Sequence, residues 1–203
     1  MKIYIDGENF RKGLARILIN QKVINNSREI TNFPIRDMLA DVLESEDLEI
    51  YYYASKIKLP TGYSPDKEVM QHVEKIKDFN RKWVPTLLNQ KITYIKAGYL
   101  KVKSSKKCPK CGHSHDTLQE KGVDVRLAVD MLEAAHNDKQ VVIGLMSSDT
   151  DLCPAIQKVK DHRGKVIYIC FADATNRAVS AVATETVTIS TAKIKKYAEG
   201  KNA

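Results

Sequence analysis

Short runs of β-branched and aromatic residues alternate along the chain with longer stretches whose apolar positions recur every three or four residues. That alternation predicts an α/β fold with strands and helices in succession. Lys2–Asp6 reads as a first strand, and residues 9–20 as a helix with Phe10, Leu14, Ile17 and Leu18 on one face. A second helix is expected over 34–45, opening on Pro34, a residue suited to a first turn. A tyrosine-rich strand follows at 48–54. Over 65–90, Val69, Val73, Ile76, Phe79, Trp83 and Leu87 mark a long amphipathic helix, with a kink expected at Pro85. Residues 91–102 contain an extended segment and 104–121 read as a loop. A helix over 123–136 should turn Val125, Val129 and Leu132 inward. The apolar run 141–147 is the kind of strand that a parallel sheet buries on both faces. A helix at 150–162 tolerates Pro154 in its first turn, and Gly164 is the expected residue just beyond its C-terminus. Lys165–Phe171 is another buried strand, 175–182 a helix and 186–190 a short last strand.

This pattern places acids where chemistry can happen. Asp6 ends the first strand, Asp149 and Asp151 follow the strand at 141–147, and Asp124 opens the helix at 123–136. In an open parallel sheet the strand ends share one edge, where ligands bind near the reversal of strand order. Converging carboxylates repel one another, and Mg²⁺ or Mn²⁺ removes the conflict because such cations take oxygen ligands. A metal held there can activate water and stabilise charge on a phosphodiester. The competing reading is that Asp6, Asn9, Asp149 or Thr150 simply caps a helix. Any one of them alone reads as a cap; three acidic segments on one edge favour a site. The Asp149-x-Asp151 pair also invites comparison with phosphatases of the haloacid dehalogenase type and with glycosyltransferases. The former place such a pair after their first strand, where this chain has only Asp6.

Length and composition narrow the picture. The 203 residues suit one domain, 1–203, with a Cys/Lys-rich loop at about 103–121. Lys and Arg number 33 against 25 Asp and Glu, a net charge of +8 and a pI near 9.2, which favours polyanionic partners such as nucleic acid. A purely solubilising charge is an equal alternative on composition alone. Four cysteines are too few for a disulfide scaffold, and the first residues do not form a signal peptide. No apolar stretch reaches bilayer-spanning length, so the expectation is a soluble, cytoplasmic protein.

Ile5-Asp6-Gly7-Glu8-Asn9-Phe10, Lys121-Gly122-Val123-Asp124-Val125 with Leu127-Ala128-Val129-Asp130, and Ser148-Asp149-Thr150-Asp151-Leu152 together resemble the NYN domain, a branch of the PIN-like nucleases, and look most like its bacterial LabA-like group. The motifs stand in family order, and residues 159–166 also suit the family. The resemblance implies a three-layer α/β/α sandwich with a mainly parallel central sheet and metal-dependent endonucleolytic cleavage of RNA. It assigns Asp6, Asp124, Asp149 and Asp151 to the metal-holding acids, Asn9 to the polar position beside the first acid, and Ser148 to an assisting role. Asp130, six residues after Asp124, falls on a different helix face and ranks below them.

Residues 106–115 form a zinc-knuckle-like turn in which Cys108, Cys111, His113 and His115 are candidate Zn²⁺ ligands, crowded more closely than normal finger spacing. The alternatives are a vestigial knuckle, a site completed by a second copy in a homodimer, or a redox-labile loop. Lys106, Lys107, Lys110 and Lys121, with Arg11 and Lys12 on the first helix, are candidate phosphate contacts or solvated surface charge. Tyr51, Tyr52 and Tyr53 are expected in the sheet and core rather than stacking on bases. Two other functions stay open: an RNA-binding or regulatory module that keeps the fold without cleaving, and a DNA-directed nuclease.

Overall fold

The computed structural model describes residues 1–58, 66–104, 111 and 116–200. Seven strands are seen among them: β1 (Lys2–Asp6), β2 (Glu49–Lys58), β3 (Ile92–Ser104), β4 (Asp116–Lys121), β5 (Val142–Met146), β6 (Lys165–Phe171) and β7 (Glu185–Ile189). The helices are α1 (Gly7–Asn20), α2 (Ile35–Leu43), α3 (Lys67–Asn89), α4 (Val123–Asn137), α5 (Cys153–Asp161), α6 (Arg177–Val182) and α7 (Thr191–Ala198). The strands form one sheet in the order β4-β3-β2-β1-β5-β6-β7. Every neighbouring pair is parallel except β3 and β4. Strand order therefore reverses between β1 and β5.

Period-two alternation sorts the side chains to the two faces. Ile3, Ile5, Ile50 and Tyr52 join one buried cluster with Phe10 and Leu14 of α1, Met38 of α2, Trp83 of α3 and Ile194 of α7. Tyr4, Tyr53, Ile143, Leu145 and Tyr168 join the other, with Leu127 and Met131 of α4, Ile156 of α5 and Val179 of α6. A small third cluster, Val69, Val73 and Val102 with Ile57 and Leu118, fastens the start of α3 to the β3–β4 hairpin.

Several expectations need correction. Residues 116–121, read as loop, form β4, antiparallel to β3 from Tyr99↔Lys121 to Ser104↔Asp116. Leu118 is its only apolar side chain, so the sequence hides an edge strand whose pairing comes from the backbone. On α4 the buried residues are Val123, Leu127, Met131, Ala134 and Ala135, whereas Val125 is 68% and Val129 52% exposed. The helix is rotated from the expected face. At the end of α5, Arg163 and not Gly164 takes the left-handed conformation, at φ 70°. α3, by contrast, spans the expected stretch and contains Pro85. A 3-10 turn at Thr150–Leu152 precedes α5, and α7 was not foreseen. Among the described residues no helix is long and apolar enough to cross a membrane.

Candidate functional site

Asp6 closes β1 and caps α1. Its Oδ1 accepts from the backbone N–H groups of Glu8 and Asn9, each at 3.1 Å. Its Oδ2 accepts from Asn9 Nδ2 at 2.7 Å and from Ser147 Oγ at 3.1 Å, and the residue is 4% exposed. The cap is therefore real, and it fixes one carboxylate edge beside β5. Gly7 lets α1 begin this close to β2: a Cβ there would stand 2.4 Å from the Tyr52 ring and 2.5 Å from the Tyr53 carbonyl oxygen.

The turn after β5 is tied to the same point. Ser148 Oγ donates to Asn9 Oδ1 at 2.8 Å, and the Asp149 N–H donates to Ser147 Oγ at 3.2 Å. Asp149 Oδ1 accepts from the Asp151 N–H at 2.9 Å, so Asp149 caps the short turn that carries Asp151. Asn176 adds a residue from beyond β6. Its Nδ2 donates to the Ser148 carbonyl at 2.8 Å, while its Oδ1 caps α6 through the Ala178 N–H at 2.9 Å. Asparagine favours helix starts, but a helix read from 175 hides Asn176 one residue inside it, and only the start of α6 at Arg177 reveals the cap.

Asp124 arrives from the other direction. Gly122, at φ +84°, turns the chain from β4 into α4 and sets Asp124 in the first turn. Burial raises the Asp124 carboxyl above its ordinary range, and the charges of Asp6, Asp149 and Asp151 push the same way. Glu120 of β4 was not singled out from the sequence. Burial first, then the charges of Asp6, Glu8 and Asp124, push it up to about 7. It shares the inward side of β4 with Leu118, a pattern readable only once 116–121 is known to be a strand. Glu8 behaves oppositely: burial favours its neutral form, yet Arg11 and Lys12 hold it below the usual range.

The acids thus sense one another's charge, but they do not form a ready coordination sphere. Among the described residues no group of three or more His, Cys, Asp or Glu is placed to hold a metal ion. In donor chemistry the acids suit a hard cation, offering carboxylate oxygen, with Asp124 and Glu120 raised by burial and then by their acidic neighbours. Asp6 and Asp149 already spend oxygen lone pairs on caps, so closing round an ion requires side-chain rotation, most simply at exposed Asp151 and half-buried Asp124.

Of the predicted phosphate contacts, Arg11 and Lys12 are paired with Glu8 at 2.8 and 3.1 Å, and Lys121 is exposed on β4. Lys106, Lys107, Lys110, Cys108, His113 and His115 lie outside the described residues, and Cys111 is an exposed free thiol. Asp130 accepts from Tyr53 Oη at 2.8 Å and from Arg126 Nε at 2.7 Å, on the opposite face of the sheet from α1. Tyr52 and Tyr53 are buried in the core. A groove of about 720 Å³ runs between α1, α3 and β2–β4, with Glu8, Glu120, Arg11, Lys12, Arg28 and Lys75 among its lining.

A search of curated proteins finds no significant match. Among solved structures, the chain is similar to a protein of unknown function from Vibrio parahaemolyticus RIMD 2210633, at 15% identity and a TM-score of 0.47, covering 93% of this chain and 91% of that one. The family model of the NYN domain matches residues 1–190, which include every acid described above. The chain belongs to the NYN domain family, a family of PIN-like nuclease fold.

Proposed function

We propose that this protein is a divalent-metal-dependent endoribonuclease acting in the cytoplasm, with Asp6, Asp124, Asp149 and Asp151 as its metal-holding acids. The observation that carries the reading is the NYN family match over residues 1–190, and Asp124 supports it: its carboxyl is raised by burial first and then by three acids from two other chain segments. Carboxylates from three chain segments near the strand-order reversal leave negative charge that a cation can answer. Mg²⁺ or Mn²⁺ bound there would supply the positive charge that phosphodiester hydrolysis needs. Asn9 and Ser148 lock β1 to the β5 turn, so Asp6 and Asp149 keep a fixed separation. Glu120 adds a further carboxyl to this edge, raised by burial and by the charges of Asp6, Glu8 and Asp124. The cationic lining of the groove gives an RNA strand a path towards Glu8 and Glu120.

One observation favours a second reading, an RNA-binding module that does not cleave: Asp6 and Asp149 are engaged as caps, and the acids are not drawn together. Labelled single-stranded RNA and DNA of matched sequence, incubated with Mn²⁺, Mg²⁺ or EDTA, separate the two. Metal-dependent cleavage of RNA is expected, with Asp149→Asn lowering the rate by about a hundredfold or more, the scale of losing one electrostatic contact to a reacting centre. Equal rates in wild type and Asp149→Asn would remove the site assignment. Binding without cleavage in any metal would leave the module, and faster cleavage of DNA would change the substrate.

A further inference from the structure

The α1 side of the sheet holds the long groove and, behind Asn9, a smaller cavity of about 220 Å³. The opposite side differs in kind where β2, β3 and β4 run on past the register shift at Ala54/Ser55. Cross-strand partners share a face there, and successive residues alternate. One face takes Ile57 and Leu100 from one row and Val102 and Leu118 from the next, and these pack towards the start of α3 or line the groove. The other face takes Lys56, Tyr99 and Lys121 in one row. Lys58, Lys101 and Gln119 form the next row, and Lys103 with Thr117 lies beyond. Every one of these side chains is exposed.

This face carries positive charge and no acid. Among the described residues none of its lysines enters an ion pair with an acid. Lys58 instead holds its Nζ 5.5 Å from the centre of the Tyr99 ring. Edge strands often carry lysine to block the addition of another strand, which accounts for Lys121 on β4. It does not account for Lys56, Lys58, Lys101 and Lys103, which lie on the two strands inside it. Alternate residues stand about 6.6 Å apart along a strand and about 4.8 Å apart between strands, so the lysines form a lattice that a polyanion can follow. Tyr99, 41% exposed, stands among them. Single-strand binders combine these two features: cations that track the backbone and an aromatic ring on which a base stacks. A duplex keeps its bases stacked inside and has no use for the ring.

We propose that this face is a second nucleic-acid surface, a platform on which single-stranded RNA lays its phosphates along the lysines and stacks one base on Tyr99 in place of Lys58. Lys121 at its rim precedes Asp124 by three residues, so a strand anchored here is held beside the acidic edge. The inference rests on the RNA reading above and adds a grip on the strand away from the groove.

Anisotropy of labelled single-stranded RNA, titrated with the full chain in EDTA across a salt series, tests it without any cleavage step. The proteins are wild type, Tyr99→Ala, Tyr99→Phe and Lys56→Gln/Lys101→Gln, with circular dichroism as the folding check. Tyr99→Ala should bind about fivefold or more weakly, the scale of one base–aromatic stack, and Tyr99→Phe should bind as wild type does. A strand of the same length without bases should bind wild type and Tyr99→Ala alike. Lys56→Gln/Lys101→Gln should lower the log–log salt slope by about 1.4, the value for two phosphate contacts. Absence of saturable binding to wild type overturns the platform. So does unchanged affinity in either folded variant, Tyr99→Ala or Lys56→Gln/Lys101→Gln, or an equal loss with Tyr99→Ala on the strand without bases. Should the lysine pair not fold, the Tyr99 variants decide alone. Tighter binding to phosphatidylserine–phosphatidylcholine vesicles than to RNA, lost in the same variants, gives the face to a lipid surface and overturns the proposal equally. Metal-dependent RNA cleavage with wild-type RNA affinity in the platform variants sinks this inference alone; platform binding without cleavage in Mn²⁺ or Mg²⁺ sinks the nuclease reading alone.

Discussion

Single side chains here carry two duties at once, and Asp6 is the plainest case. It caps α1 and also receives Asn9 and Ser147 side chains while almost wholly buried. Asp6→Ala should destabilise the fold by about 2–4 kcal/mol in urea unfolding, combining a lost cap with buried donors left unpaired. Asp6→Asn keeps one acceptor and should cost less. Glu120 gives a pH signature. In the folded chain it binds a proton more readily than in the unfolded chain, so its contribution to stability is full below the ordinary glutamate value of 4.5 and is lost as pH rises through about 7. Thermal melts in EDTA should show wild type losing stability over that interval relative to Glu120→Gln, and Mg²⁺ should reduce the difference. Parallel curves for the two proteins would remove Glu120 from the buried acid group. Asp6, Asp124, Asp149 and Asp151 were legible from strand and helix ends; Glu120 was not, because nothing local marks 116–121 as a strand.

At the level of elements, α4 shows where periodicity misleads. Both Val125/Val129 and Leu127/Met131 recur with helical spacing, and only packing on Tyr4, Tyr53 and Leu145 decides which stripe is inside. Leu127→Ala should therefore cost about 2–5 kcal/mol, while Val129→Ala should stay within about 0.5 kcal/mol in the same denaturation assay. The reverse order would mean that the helix faces as first expected from the sequence. β4 tells a related story: a strand with one apolar residue is held by its ladder to β3 and by the Leu118 contact with Val69 and Val73.

For the whole molecule, net charge sets the reach and fold sets the address. The excess of eight positive charges attracts a polyanion from any direction, whereas under the proposed function the groove beside α1 is the path for it. Arg11 and Lys12 reach that groove already balanced by Glu8, so their pull on a strand is weaker than their count implies. The affinity for single-stranded RNA should fall with salt, and Lys12→Ala should reduce the log–log slope by at most about 0.7, the value for one phosphate contact. An unchanged slope would place the strand elsewhere.

The chain's own order of residues determined the α/β class, the positions of most strands and helices, the family, and the placing of four acids at strand and helix ends, because alternation, helical spacing and motif order are local properties. Tertiary structure alone decided the face of α4, the pairing of β4, the approach of Glu120 and Asn176 to the candidate site, and the cavity behind Asn9. Those depend on which backbones approach in space, and burial and charge act through distances that neighbours along the chain do not encode.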